Sequence, residues 1–356
     1  MILNLKQRSI EIILNNQHPK GSYMASPAFE QYKYCWMRDG SFIAWSMDIS
    51  GQTESAGRFF DWADTVISGK TGNVYRMLAI RDKGEKLMNS DYLPARYHMD
   101  GTDANDEWPN FQLDGYGTWL WALCRHIKIT GNKLLVEKYS KSIRAIVDYL
   151  ASFWCMPCYD CWEENGDKIH TSTLACIYGG LNSISAYLRE PNVSDIAGAI
   201  KSYILTHCTG NGRLLKYPGS EDIDSSLLWA TLPFNVLDVS DQIMRNTVME
   251  IEKRLLHDRG VHRYSEDTYY GGGEWPLLSC WLGWYYAGIG LESEAAGILR
   301  WTESHADGNG QMPEQILEHV NKTEYISKWK ESWGEPAMPL LWSHAMYLIL
   351  SHKLGL

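Results

Sequence analysis

Two kinds of helix-forming segment alternate along this chain, and the alternation restricts the fold more than any other feature. "LKQRSIEIILNN", "EKYSKSIRAIVDYLASFW", "DQIMRNTVMEIEKRLLHD" and "ESEAAGILRWTESH" carry apolar residues three and four apart, so each has one face for a core and one for water. Between them lie "SFIAWSMDI", "GTWLWALCRHI", "TLACIYGGLNSISAYL", "SLLWATLPF", "WPLLSCWLGWYYAGIG" and "PLLWSHAMYLIL", which are apolar nearly all round. A helix apolar on every face is buried on every face. The second set begins near Ser41, Gly117, Thr173, Ser226, Trp275 and Pro339, at intervals of roughly 50 to 75 residues, a loose repeat of helical hairpins. Six buried inner helices and about six two-faced outer ones describe an all-α (α/α)6 barrel, favoured here over an open α-solenoid. No linker or low-complexity tract interrupts residues 1–356, so one barrel domain is expected.

The segment ahead of each inner helix is rich in Trp, Tyr, Asp, Glu or Gly: "YKYCWMRDG", "DEWPNFQLDGYG", "DCWEENGDKIHTS", "SEDIDS", "HRYSEDTYYGGGE" and "ESWGEPAM". In a closed barrel the inner helices all start at the same end, so these six loops are expected to converge on one mouth, where a rigid scaffold normally carries its binding groups. The polar stretch from Arg81 to Trp108 is either a long loop over that mouth or a solvated excursion.

Charge narrows the ligand. A formal net charge of −10 argues against nucleic acid and against an anionic membrane surface, since both require clustered Lys and Arg. The N-terminal "MILNLKQRSIEIILNNQ" is interrupted by Lys6, Arg8 and Glu11, and no run of about 18 apolar residues occurs, so a cytoplasmic protein is expected. Eight cysteines in such a chain read as reduced thiols rather than a disulfide framework. The 16 Trp and 21 Tyr against 7 Phe favour rings that stack on sugar faces while their N–H and O–H groups reach polar neighbours, although a core built from Trp gives the same count.

Two chemistries compete in "CMPCYDCWEENGDKIHTS". Cys155, Cys158 and Cys161 have the spacing of soft-metal ligands, but a structural zinc site needs four ligands and no second paired motif exists, so no metal is expected. The thiols read as packing at a helix-to-loop corner. The carboxylates lack less. Glycosidic hydrolysis needs one carboxylic acid to protonate the leaving oxygen and one carboxylate to attack carbon or activate a water. Glu163, beside the indole of Trp162 and the like charge of Glu164, suits the acid. Glu314 in "GNGQMPEQI" is the candidate partner, with Gln315 beside it to hold the carboxylate or its water. Arg38 and Asp39 form an opposite-charge pair suited to gripping several hydroxyls of one ring, or else a structural ion pair at a helix start.

These residues also carry a resemblance. "YKYCWMRDG", "PNFQLDGYGTWLWAL", "YDCWEE", "HRYSEDTYYGGGEWPL", "MPEQI" and "PLLWSHAMYLI" resemble, in chain order from about Tyr32 to Ile349, the segments of glycoside hydrolase family 15, the glucoamylase and glucodextranase family. The resemblance implies an (α/α)6 barrel without cofactor, with Glu163 as general acid and Glu314 as general base. It also implies inversion, which sets the two carboxyl groups roughly 6.5 to 9.5 Å apart to admit a water. By the same resemblance Arg38, Asp39 and Arg263 hold the terminal glucose, with Tyr32 and Trp36 near its ring. Trp108, Gln112, Asp114 and Trp162 line the pocket or its next subsite, Glu164 supports the acid, and Glu266 and Asp267 position Arg263.

The expected activity is exo-acting release of β-glucose from short α-gluco-oligosaccharides of the isomaltose or maltose type. The short stretch before the first motif, without the β-sandwich or starch-binding domain of many relatives, favours small soluble substrates over polymer. Trehalose hydrolysis is one alternative, and a sugar-binding barrel without catalysis is another. An acidic substrate would call for more bases at the mouth than Arg38 and Arg263.

Overall fold

The computed structural model describes residues 4–104, 107–188 and 190–356; residues 1–3, 105–106 and 189 lie outside the described residues. In chain order the helices are α1 (Leu5–Asn15), α2 (Met37–Ile49), α3 (Thr53–Gly69), α4 (Thr71–Asp82), α5 (Asp114–Thr130), α6 (Leu134–Lys138) and α7 (Ser140–Phe153). There follow α8 (Thr171–Ser185), α9 (Pro191–His207), α10 (Gln242–Leu255), α11 (Pro276–Gly288), α12 (Glu292–Ser304), α13 (Ile326–Trp333) and α14 (Leu341–Lys353). Among the described residues β-structure is confined to three antiparallel pairs of two-residue strands: β1 (Cys35–Trp36) with β2 (Arg96–Tyr97), β3 (Thr209–Gly210) with β4 (Arg213–Leu214), and β5 (Leu256–His257) with β6 (Gly260–Val261).

The apolar segments close into a ring. Helix α2 packs on α5, α5 on α8, α8 on a 3-10 turn at Ser225–Ala230, that turn on α11, α11 on α14, and α14 back on α2. The outer layer follows the amphipathic pattern: α3 covers α2, α7 lies against α3 and α5, α9 covers α8, α10 the 3-10 turn, α12 covers α11, and α1 covers α14. This is the (α/α)6 barrel that the segment pattern predicts. Its inner members are buried all round, as Met37 to Asp48 of α2 and Leu341 to Ser351 of α14 illustrate, because neighbours flank them in the ring and outer helices cover their backs.

One inner member departs from the expectation. "SLLWATLPF" forms a six-residue 3-10 turn rather than a full helix. Pro233 has no backbone N–H to continue the helical hydrogen-bond ladder, and the segment turns there. Trp229 in that turn keeps the inner position filled, 5.0 Å from Trp281 by ring centroid. With Phe42, which lies 4.9 Å from Trp281 and stacks on Trp342 at 5.7 Å, these rings plug the barrel axis. The barrel is therefore a cup with an aromatic floor, not a channel. Among the described residues, no helix is long and apolar enough to cross a membrane.

Ring closure depends on close backbone approach between α5 and α8. A Cβ added at Gly117 would stand 2.5 Å from the carbonyl oxygen of Cys176, and a backbone atom in a packed helix cannot yield cheaply. Gly117→Ala is expected to destabilise the protein by about 1–3 kcal/mol through overpacking. Thermal unfolding followed by circular dichroism measures this, and an unchanged melting temperature would contradict the close-approach account.

Candidate active site

The pocket at the helix starts has a volume of about 370 Å³ and takes its walls from five of the six loops. Tyr32, Trp36, Arg38 and Asp39 come from the entry to α2, Trp108 from the loop before α5, and Trp162, Glu163 and Glu164 from the loop before α8. Arg263 comes from the stretch leading to α11 and Glu314 from the stretch leading to α14. The fourth loop supports the pocket from behind: Asp224 accepts the Trp162 indole N–H at 3.1 Å. The polar stretch from Arg81 to Trp108 is fastened to the mouth by β2, which pairs with β1 directly ahead of Arg38. Its buried Arg96 guanidinium lies under the Trp108 ring at 3.4 Å and near Tyr34 and Trp36.

Each of the two carboxylates has its own aromatic holder. Trp36 donates its indole N–H to Glu163 Oε1 at 2.6 Å, and Gln112 donates to the same oxygen at 3.1 Å. Tyr32 donates its hydroxyl to Glu314 Oε1 at 2.7 Å, and the Tyr269 hydroxyl stands 3.4 Å from Oε2. The Tyr32 and Trp36 rings meet edge-on with centroids 5.6 Å apart, so two residues of one segment, four positions apart, hold both carboxylates about a single cavity. Burial pushes the Glu314 carboxyl from its ordinary 4.5 up to about 7, against the opposing effects of the Tyr32 hydrogen bond and the Arg263 charge.

Glu163 sits in the left-handed backbone region, at φ 67°, which a non-glycine residue adopts only when its surroundings impose it. Asp160 imposes it. Its carboxylate accepts from the backbone N–H groups of Trp162 at 2.9 Å and Glu164 at 3.0 Å, and its carbonyl accepts from that of Glu163 at 3.0 Å. Burial pushes the Asp160 carboxyl up to about 7, although the Lys216 ammonium 3.8 Å away favours its charged form. Lys216, itself buried, also pairs with Asp224 at 3.0 Å, so one cation braces both supports of the Trp162–Glu163 turn.

Two arginines complete the pocket. Arg38 Nη1 is satisfied from behind by Asp114 at 3.0 Å and Gln112 at 3.2 Å, while the Trp342 ring lies 5.3 Å beneath the guanidinium. Arg38 Nε stands 3.3 Å from Asp39 Oδ2, yet neither atom has a hydrogen-bond partner among the described residues. Burial pushes the Asp39 carboxyl up to about 6, opposed by Arg38. The two side chains thus form a buried ion pair in the pocket wall. Arg263 is gripped bidentately by Asp267 at 2.7 and 2.5 Å and stands among the rings of Trp162, Tyr264, Tyr269 and Trp275. Glu164 lies 3.5 Å from Arg263 and accepts from the Tyr264 hydroxyl at 2.5 Å.

Three expected site residues, two in the lining and one positioning Arg263, lie elsewhere or act differently. Gln112 and Asp114 do not face the cavity; they are buried behind Arg38, where its desolvated charge requires an anion and an acceptor. Glu266 does not position Arg263. It is exposed and pairs with Lys322 at 2.8 Å, because Asp267 alone turns inward from that loop. The cysteine corner also differs: Cys158 and Cys161 are buried, with Cys161 in the pocket wall, but Cys155 is exposed.

Sequence reasoning missed Tyr269, Trp275, Trp329, Trp333 and Trp342, all of which line the cavity. Trp329 and Trp333 stand one turn apart on α13 amid Lys, Glu and Ser, an aromatic stripe on an otherwise polar helix that was a legible signal. Lys216 gave none, since a lysine in an ordinary loop has no local mark of burial. Seven of the 16 tryptophans line the pocket and the rest lie outside it, several in the barrel core, so the aromatic bias serves both purposes considered.

Comparison with known proteins agrees with this geometry. The model of the family "Glycosyl hydrolases family 15" matches residues 3–290. Isomaltose glucohydrolase of Kribbella flavida is 41% identical over 359 residues, covering 99% of this chain and 93% of that protein. A solved glycosidase variant in complex with glucose superposes with a TM-score of 0.95 at 40% identity, over 99% of this chain and 96% of that one. A bacterial glucoamylase complexed with acarbose shares the fold at a TM-score of 0.79 and 18% identity, over 99% of this chain and 55% of its own. With most of its length matched by the family and a full-length relative at this identity, the chain belongs to glycosyl hydrolase family 15.

Proposed function

We propose that the protein is an exo-acting α-glucosidase that releases glucose, with inversion, from the non-reducing end of short α-gluco-oligosaccharides, isomaltose foremost. The observation that carries this reading is the pair of carboxylates, Glu163 and Glu314, held by adjacent aromatics about one small pocket whose floor is closed. A closed floor admits a chain end and not a chain middle. The lining holds two arginines against five acids, which suits a neutral sugar and disfavours a uronide. The full-length relative named for isomaltose supports the linkage preference.

In this reading Glu163 transfers its proton to the glycosidic oxygen as the C–O bond breaks. Glu314 takes a proton from a water whose oxygen attacks the anomeric carbon from the opposite face, so β-glucose forms. Arg38, Asp39 and Arg263 orient the ring, and the aromatic wall excludes bulk water. Asp267 holds Arg263, Asp114 holds Arg38, and Gln112 orients Glu163. The eight free thiols support a reducing, cytoplasmic setting.

Glu163→Gln and Glu314→Gln are each expected to lower glucose release from isomaltose by on the order of 10³-fold or more while melting as cooperatively as the parent. Near-parental turnover in both would overturn the assignment. Incubation with isomaltose, maltose, trehalose, nigerose and kojibiose, followed by proton NMR, reads both linkage and stereochemistry. The β-anomer is expected first, and a first-formed α-anomer excludes inversion. A preference for trehalose would move the protein to the trehalase reading.

A base must be deprotonated to act, and the Glu314 carboxyl lies at about 7. The acidic limb of kcat/KM is therefore expected near pH 7, falling about ten-fold for each further unit of acidity. Because the Tyr32 hydroxyl stabilises the carboxylate, Tyr32→Phe is expected to move this limb to higher pH. A pH–rate profile of the two proteins checks it, and an unmoved limb would assign the titration to another group.

A further inference from the structure

Outside the pocket, three segments bring two imidazoles onto one carboxylate. His257 lies on β5, Glu274 two residues before α11, and His319 in the loop five residues beyond Glu314; one ligand-type atom from each lies within 4.8 Å of the other two. Glu274 is 1% exposed, whereas the His257 and His319 side chains are 55% and 44% exposed, so the buried acid is reached from solvent through the histidines. Glu274 Oε1 stands 3.2 Å from His319 Nδ1 and 3.8 Å from His257 Nδ1, and the two rings lie 3.7 Å apart at 30°.

The cradle is shaped for the carboxylate. Gly260 faces His257 across the β5–β6 hairpin, and a Cβ there would come within 2.4 Å of the Glu274 carboxyl carbon. Only a residue without a side chain admits the acid at that point. A hydrogen bond from His319 accounts for one imidazole but leaves His257, at 3.8 Å, without a bond to the oxygen it faces.

A shared ion accounts for both. In a tetrahedral site with metal–ligand bonds of about 2.0–2.2 Å, neighbouring ligand atoms stand roughly 3.4 Å apart. The separations of 3.2 and 3.8 Å bracket that value, and the two half-exposed rings, stacked 3.7 Å apart, would turn to roughly 5 Å apart to radiate from one ion.

We propose that His257, Glu274 and His319 form a binding site for one divalent transition-metal ion of the zinc class, with the fourth position left to water. Two neutral imidazoles and a carboxylate match the softness of that class and not of magnesium or calcium, which prefer all-oxygen shells. The ion would also brace the loop that carries Glu314. Glu274 and Ile316 exchange backbone hydrogen bonds at 3.0 and 2.8 Å, and Gln315 accepts from the Gly273 N–H at 3.1 Å. Tying His319 to Glu274 and to the β5–β6 hairpin closes a loop around that pairing. The site does not depend on the identity of the sugar substrate.

Isothermal titration of the full chain, stripped with EDTA and dialysed, with zinc chloride at neutral pH tests the site. One ion per chain is expected, together with a rise in melting temperature that follows zinc concentration and is absent with magnesium. His257→Ala and His319→Ala are each expected to weaken zinc binding by about ten-fold or more. Both side chains are half-exposed, so either variant serves if the zinc-free melting temperature of the other falls. No saturable zinc binding by the parent, or parental affinity in both variants, overturns the site.

Discussion

The structure depends on the burial of six inner segments that are apolar on every side. A single such helix has no stable place at a surface, and only a closed ring with an outer layer removes all of its faces from water. Closure has two consequences. All the inner helices start at one end, which gathers the polar loops, and the rings of Phe42, Trp229, Trp281 and Trp342 fill the axis beneath them. The pocket is what remains between that floor and the loops, and Trp342 belongs to both.

The charged groups of the pocket are stable in so apolar a setting because each is answered from behind. Asp114 and Gln112 answer Arg38, Asp267 answers Arg263, and Lys216 answers Asp160 and Asp224. A buried guanidinium without such a partner would carry a desolvation cost of several kcal/mol. The pairing holds these buried charges rigidly in the pocket wall. The same rigidity reaches the turn that carries Glu163, where Asp160 enforces the left-handed backbone.

Much of this was legible in the chain. Helical periodicity distinguished two-faced from fully apolar segments, and that distinction is the barrel. The chemistry-bearing side chains were also visible, since Trp, Tyr, Asp and Glu cluster ahead of the inner helices. Where the reading went wrong, the missing information was the direction of a side chain. Glu266 and Asp267 are neighbours of the same charge, yet one pairs with Lys322 in solvent and the other grips Arg263 in the wall. Gln112 and Asp114 belong to the site but stand behind Arg38 rather than in the cavity.

By itself the sequence determined the barrel, the gathering of polar loops at its mouth and the choice of Glu163 and Glu314 as candidate carboxylates, because each rests on local periodicity or residue type, which are properties of short segments. Tertiary structure decided the rest. The pairing of Tyr32 with Glu314 spans 282 residues and that of Trp36 with Glu163 spans 127, and no local pattern records a partner so distant. The burial of Lys216, the aromatic wall lent by α13 and the convergence of His257, Glu274 and His319 have the same origin. They are set by which surfaces meet when the ring closes, and that is a property of the whole chain.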